Sequence, residues 1–167
     1  MYGPCGIRVS SSCVATSYDL KPIWYAWHTP DVEIHWPEEF GRWLDDLEGK
    51  ADGGDADAKQ RLVLVSALLQ HLADLPDSPT RDTESASLKW VRQSKRYPLW
   101  RVSHGYRDGY AVRLICWFPP DSDTVVVALI IGDKARIGDA FYNTVASRSD
   151  PLIDQWLRES ERWKNEH

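Results

Sequence analysis

The segment TVVVALIIG, residues 124–132, has hardly a polar side chain between Val125 and Ile131. A strand with that composition cannot present either face to water, so it belongs inside a sheet with packed layers on both sides. Two further strand candidates precede it, PLWRVSH (98–104) and GYAVRLICWF (109–118). The intervening GYRDG and PPDSD are short and rich in turn residues, so the three strands most simply form an antiparallel meander.

The rest of the chain supplies what that sheet needs to be covered. VEIHW (32–36) alternates apolar and polar residues as a half-buried strand does, and Pro37 closes it. Phe40, Trp43, Leu44 and Leu47 share one helical face, which predicts a short helix ending at Gly49. A second helix is predicted over 57–75, where Leu62, Val65, Leu68, Leu69, Leu72 and Leu75 form a stripe and Pro76 is the stop. After residues 132–139 come a short helical stretch holding Phe141 and Tyr142, then a final helix capped by Asp150 with Pro151 at its first position. The expected class is therefore α+β: a small antiparallel sheet, made of a leading strand and a three-stranded meander, with two N-terminal helices and a C-terminal helix. Residues 1–31 show no sustained period and several Gly and Pro, and read as an N-terminal arm ahead of a domain spanning 32–163.

Several function classes fall away on composition and spacing. Apolar residues make up 43% of the chain and charged residues 27%, ordinary values for a globular domain. No run approaches 18 apolar residues and no basic segment leads into an apolar one near the start, so neither a membrane span nor a secretion signal is expected. Three cysteines cannot all pair, and Cys116 lies in an apolar strand, which suits a reducing cytoplasm. No metal or cofactor is expected. The aspartates of 50–59 resemble part of a calcium loop, but Val63 stands where a bidentate glutamate is needed, and Cys5, Cys13, His28 and His35 match no zinc spacing. Phosphate loops and serine elbows are equally missing.

The net charge of −5 hides a polarised distribution. Residues 1–87 carry −8, residues 88–120 carry +6 and residues 121–167 carry −3. Within the basic centre, Lys89, Arg92, Lys95, Arg96, Arg101, His104, Arg107 and Arg113 alternate with Trp90, Tyr97, Trp100, Tyr106, Tyr110 and Trp117. Cations for phosphates and flat rings for unstacked bases are what single-stranded RNA requires. A solvated basic face with its rings in the core would give the same pattern. Strand parity adds a geometric expectation: Arg101 points away from Trp100 and Val102, and Arg113 stands between Val112 and Leu114 in an otherwise apolar strand. If the two arginines share a face they form a clamp for phosphate, which Lys134 and Arg136 beyond the next strand could complete.

Through PLWRVSH, VRLICWF and IIGDKARIGDAFY (130–142), together with its order of elements, the chain from 32 to about 160 resembles the RelE/ParE superfamily of type II toxins, in particular its actinobacterial and HigB-like branches. The resemblance implies a RelE-like fold and a metal-independent mRNA endoribonuclease that inhibits translation, free or on the ribosome. It also implies a cognate antitoxin, expected to be a helix-turn-helix protein. Carried over by position, Arg101 and Arg113 would hold phosphate, Lys134 and Tyr142 would complete the catalytic set, and Arg92, Lys95 and Arg96 would form a basic lead-in with Trp100 and Arg136 as further RNA contacts. His104 has no firm counterpart, but an imidazole titrates near neutrality and suits proton transfer. Two departures matter: Leu99 stands where many relatives carry a glutamate, and the chain is acidic overall. They keep open a ParE-like inhibitor that binds DNA gyrase without cleaving, and an inactive toxin-fold interaction module.

Overall fold

The computed structural model describes residues 24–28, 32–103, 112–132 and 139–166. In chain order these form β1 (Trp24–His28), β2 (Glu33–Pro37), α1 (Glu38–Asp52), α2 (Ala56–Ala73), β3 (Leu88–Trp90), β4 (Leu99–Ser103), β5 (Val112–Trp117), β6 (Thr124–Gly132) and α3 (Asp139–Glu166). The class is α+β, with three helices and a mixed sheet.

The sheet has six strands in the order β1-β2-β6-β5-β4-β3. The expected meander is present: β4 pairs with β5 and β5 with β6, both antiparallel. The leading strand β2 lies on the far side of β6 and parallel to it, with Ile34 opposite Val125. Two strands were not anticipated. β1 pairs antiparallel with β2, so the sheet takes in five residues of the segment expected to be an arm. β3 extends the other edge by pairing with β4.

β6 is an inner strand, as its composition demands, and both of its faces are covered. On one face Val125 and Val127 join Ile34, Trp36, Val102, Leu114 and Cys116 beneath Phe40 and Leu44 of α1 and Val65, Leu68, Leu69 and Leu72 of α2. The four α2 residues are fully buried, each contributing about 1.5–3 kcal/mol of transfer free energy. On the other face Val126 joins Leu99, Ile115 and Trp117 beneath Val145, Ile153, Trp156 and Leu157 of α3. A register shift between Ile115 and Cys116 marks a bulge: Cys116 pairs with Val127 and Ile115 with Leu129, which leaves Ala128 as the extra residue.

The helices depart from expectation at their ends. α1 continues through Gly49 to Asp52, and the chain turns at Gly54, whose φ of +96° suits glycine. α2 begins at Ala56 because the Asp55 carboxylate accepts from the Ala58 N–H at 3.0 Å. The expected break before Pro151 does not occur, and α3 runs unbroken with Pro151 inside it. Proline there removes one ladder donor. The helix tolerates this because both halves dock on the same sheet face, with Val145 before the proline and Ile153 after it fully buried.

Candidate nucleic-acid interface

Register decides which side chains meet. Arg101 lies directly opposite Ile115, and Arg113 directly opposite Ser103. Residues opposite one another in an antiparallel pair share a face, as do residues two apart on one strand. Arg101 and Arg113 therefore stand on the same face as diagonal neighbours across β4 and β5. Lys89 lies directly opposite Arg101 on β3 and joins them. This is the face on which α3 packs, over Leu99, Ile115, Trp117 and Val126. The cations border that patch on β3, β4 and the start of β5.

From a strand spacing of about 4.8 Å and a rise of about 3.4 Å per residue, Lys89 and Arg113, two strands and two residues apart, are about 12 Å apart at the backbone. Arg101 lies between them. Lys89 is exposed and both arginines are half-buried. Ile115, fully buried beside Arg101, gives the row an apolar floor, which strengthens any charge interaction made above it.

Beside the row lies a cleft of about 170 Å³ lined by Lys89, Trp90, Val91, Arg92, Gln93 and Arg101. Its wall is a tight turn closed by the Ser94 N–H donating to the Val91 carbonyl at 3.0 Å. Val91 is held in place because its own N–H donates to the Leu99 carbonyl at 2.9 Å and its side chain is 3% exposed.

The other expected contacts are distributed differently. Trp100 is only 5% exposed, and its side chain faces α1 and α2 within the main core. The expectation that it contacts RNA is therefore corrected: parity sends neighbours Trp100 and Arg101 to opposite faces, and the ring is sealed by helices. Arg96 is tied to α3, donating to Asp154 Oδ2 at 2.8 Å while lying over the Tyr97 ring. The Tyr97 hydroxyl donates to Asp154 Oδ1 at 2.5 Å. That hydrogen bond, with desolvation, raises the Tyr97 pKa above the ordinary phenol value. Lys95 is exposed on the β3–β4 connection, and Arg92 is exposed on the cleft wall. Tyr142 belongs to the first turn of α3. His104, Lys134 and Arg136 lie outside the described residues.

Lys89 was missed as a site residue. Its signal was only the three-residue LKW alternation, too short to identify a strand, and without a strand its place opposite Arg101 has no basis.

A second polar group anchors α3 at the other end of the sheet. The Trp156 indole donates from Nε1 to His35 Nδ1 at 2.9 Å. An indole N–H only donates, so His35 Nδ1 must be unprotonated and its proton sits on Nε2. That nitrogen lies 2.7 Å from Glu33 Oε1, within ion-pair distance but outside hydrogen-bond alignment.

Carboxylates flank both faces: Asp150 and Asp154 of α3 lie near Arg96 on the side of the cation row, and Glu38, Glu39, Asp45, Asp46, Glu48 and Asp52 lie on α1, the layer on the opposite side. Their crowding is visible at Glu48, whose pKa is raised by desolvation and by the charges of Asp45 and Asp52. No helix among the described residues is long and apolar enough to cross a membrane, and none of their side-chain groups forms a cluster that would hold a metal ion. No protein-family model, curated protein or solved structure matches the chain at a significant level.

Proposed function

We propose that this chain is the toxin of a type II toxin–antitoxin pair, with a RelE-like fold and endoribonuclease activity on mRNA in the cytoplasm. The observation that carries the reading is the shared face of Arg101 and Arg113, at the border of the patch that α3 covers. A leading strand, two helices, a meander and a C-terminal helix occur in the expected order, with β1 and β3 as additional strands.

In this reading the RNA 2′-hydroxyl attacks the adjacent phosphorus. The O2′–P bond forms, the P–O5′ bond breaks, and the products are a 2′,3′-cyclic phosphate and a 5′-hydroxyl. A base must accept the 2′ proton and an acid must protonate the leaving oxygen. Arg101 and Arg113 stabilise the doubly charged pentacoordinate phosphorane, an assignment of transition-state electrostatics that guanidinium groups over an apolar floor perform well. Lys134, Tyr142 and His104 are the proposed partners for charge and proton transfer. The cognate antitoxin, proposed as a helix-turn-helix protein, would neutralise the activity.

A non-cleaving, gyrase-binding role is favoured by one observation: Leu99 is fully buried under α3. A carboxylate base at this position of β4 is therefore missing, and the place it would occupy is core. Expression of the wild type and of Arg101→Ala and Arg113→Ala, with mapping of new RNA 5′ ends, separates the two. Cleavage that disappears in both variants supports the nuclease. Growth arrest with intact RNA and gyrase inhibition by purified protein would replace it with the gyrase reading.

A further inference from the structure

The cleft beside the cation row reaches Arg101 but not Arg113. Three of its lining residues, Lys89, Arg92 and Arg101, are cationic, and a fourth, Gln93, carries an amide donor. Arg92 and Gln93 are also the two central residues of the turn closed from Ser94 to Val91. Their backbone N–H groups donate to no acceptor among the described residues. Successive main-chain N–H groups in a turn form a concavity suited to an anion. The floor is Val91, locked into the core, so the turn is already organised without ligand.

The cleft is open to the surface, so an extended single strand can lie along it. The side-chain row then sets the relation to the reacting centre. Lys89 and Arg113 are about 12 Å apart at the backbone by strand geometry, with Arg101 between them.

We propose that this cleft is a second phosphate subsite, in which Lys89, Arg92 and the Arg92–Gln93 turn hold a phosphodiester of the same RNA strand away from the scissile one. The inference rests on the nuclease reading of the Arg101–Arg113 pair and adds a substrate requirement to it. The protein engages an extended single strand at two phosphates, the second one setting the register of the first. A strand that ends before the second phosphate binds weakly.

The test uses the full chain and a single-stranded 2′-O-methyl RNA nonamer, which cannot be cleaved because its nucleophile is blocked. Single methylphosphonates, each deleting one phosphate charge, are scanned along it. Two positions should weaken binding to the wild type. Lys89→Ala/Arg92→Ala should bind the unmodified nonamer about tenfold more weakly, with the slope of log K against log salt reduced by about 1.4, two contacts at 0.7 each. It should become insensitive to one methylphosphonate position while remaining sensitive to the other, and Arg113→Ala should show the converse. Both substituted side chains in the double variant are exposed, and unchanged circular dichroism will confirm its fold. If the double variant binds within twofold of the wild type while Arg113→Ala does not, the cleft is no subsite and the reading of the arginine pair stands. Failure of the wild type to bind the nonamer at all would overturn both.

Discussion

Replacing Trp156 with Phe should loosen α3 from the sheet by an amount that can be worked out in advance. The indole makes one hydrogen bond, to His35 Nδ1 at 2.9 Å, and packs edge-on against His35 and Trp117 with centroids 5.8 Å away in both cases. Phenylalanine keeps much of the edge contact but loses the donor, which removes about 0.5–1.5 kcal/mol. His35 is then left with an acceptor lacking its donor; its side chain is 21% exposed, so water recovers part of the penalty of about 1–3 kcal/mol. The smaller ring gives up roughly 40 Å² of apolar area, about 1 kcal/mol at 25 cal/mol per Å². The total is about 2–4 kcal/mol, or a fall in Tm of about 5–15 °C for a chain of this size.

The decisive measurement is a double-mutant cycle by chemical denaturation. His35→Leu alone strands the indole N–H, whereas Trp156→Phe/His35→Leu leaves an apolar pair with neither group stranded. The double variant should therefore be more stable than the sum of the single losses predicts, by about 1–2 kcal/mol. Additivity within about 0.5 kcal/mol would refute the claim that this bond holds α3 down.

Three further outcomes follow from other parts of the structure. Because the folded state raises the Tyr97 pKa, this group's contribution is complete below the unfolded phenol value near 10 and is lost as pH climbs through the folded value; Asp154→Ala should move Tyr97 ionisation to lower pH, read as the tyrosinate absorbance difference from Tyr97→Phe. Burial raises the Cys116 thiol far above its usual range, so peptide mapping after iodoacetamide treatment should find Cys116 unmodified until denaturant is added; rapid labelling of the native protein would contradict its place in the core. Leu68→Ala, at a fully buried position under the sheet, should cost about 2–5 kcal/mol in denaturant unfolding.

Much of this architecture was legible because it is governed by local periodicity. The stripe of Val65, Leu68, Leu69 and Leu72 marks α2, and the unbroken apolar run of β6 requires an inner position, which the sheet order supplies. The common face of Arg101 and Arg113 was also legible in part, since parity within each strand follows from sequence, but the register that makes them neighbours is a pairing between strands. What escaped depends on longer-range partners. β3 is three residues long and exists by virtue of β4, and WYAWH of β1 is recognisable only against β2. Arg96 looked like part of the basic surface because Asp154, 58 positions away, has no local signature. Trp100 looked like a stacking ring because an aromatic in a basic segment reads alike whether it faces water or a helix. Asp150-Pro151 has the form of a helix start, and only the two halves of α3 docking on one sheet override it.

The parallel pairing of β2 with β6 imposes an order of events during synthesis. β2 emerges from the ribosome about ninety residues before the strand it must join, with β3, β4 and β5 translated in between. Until β6 appears, the growing polypeptide consists of a strand-and-helices fragment and an incomplete ribbon that no sheet hydrogen bonds join. Such long-range closure is intrinsically slow, and while it is pending the hydrocarbon undersides of α1 and α2 await their cover. The nascent chain is then at its most vulnerable to proteases and chaperones, and a premature stop before residue 124 would leave a product unable to close its sheet.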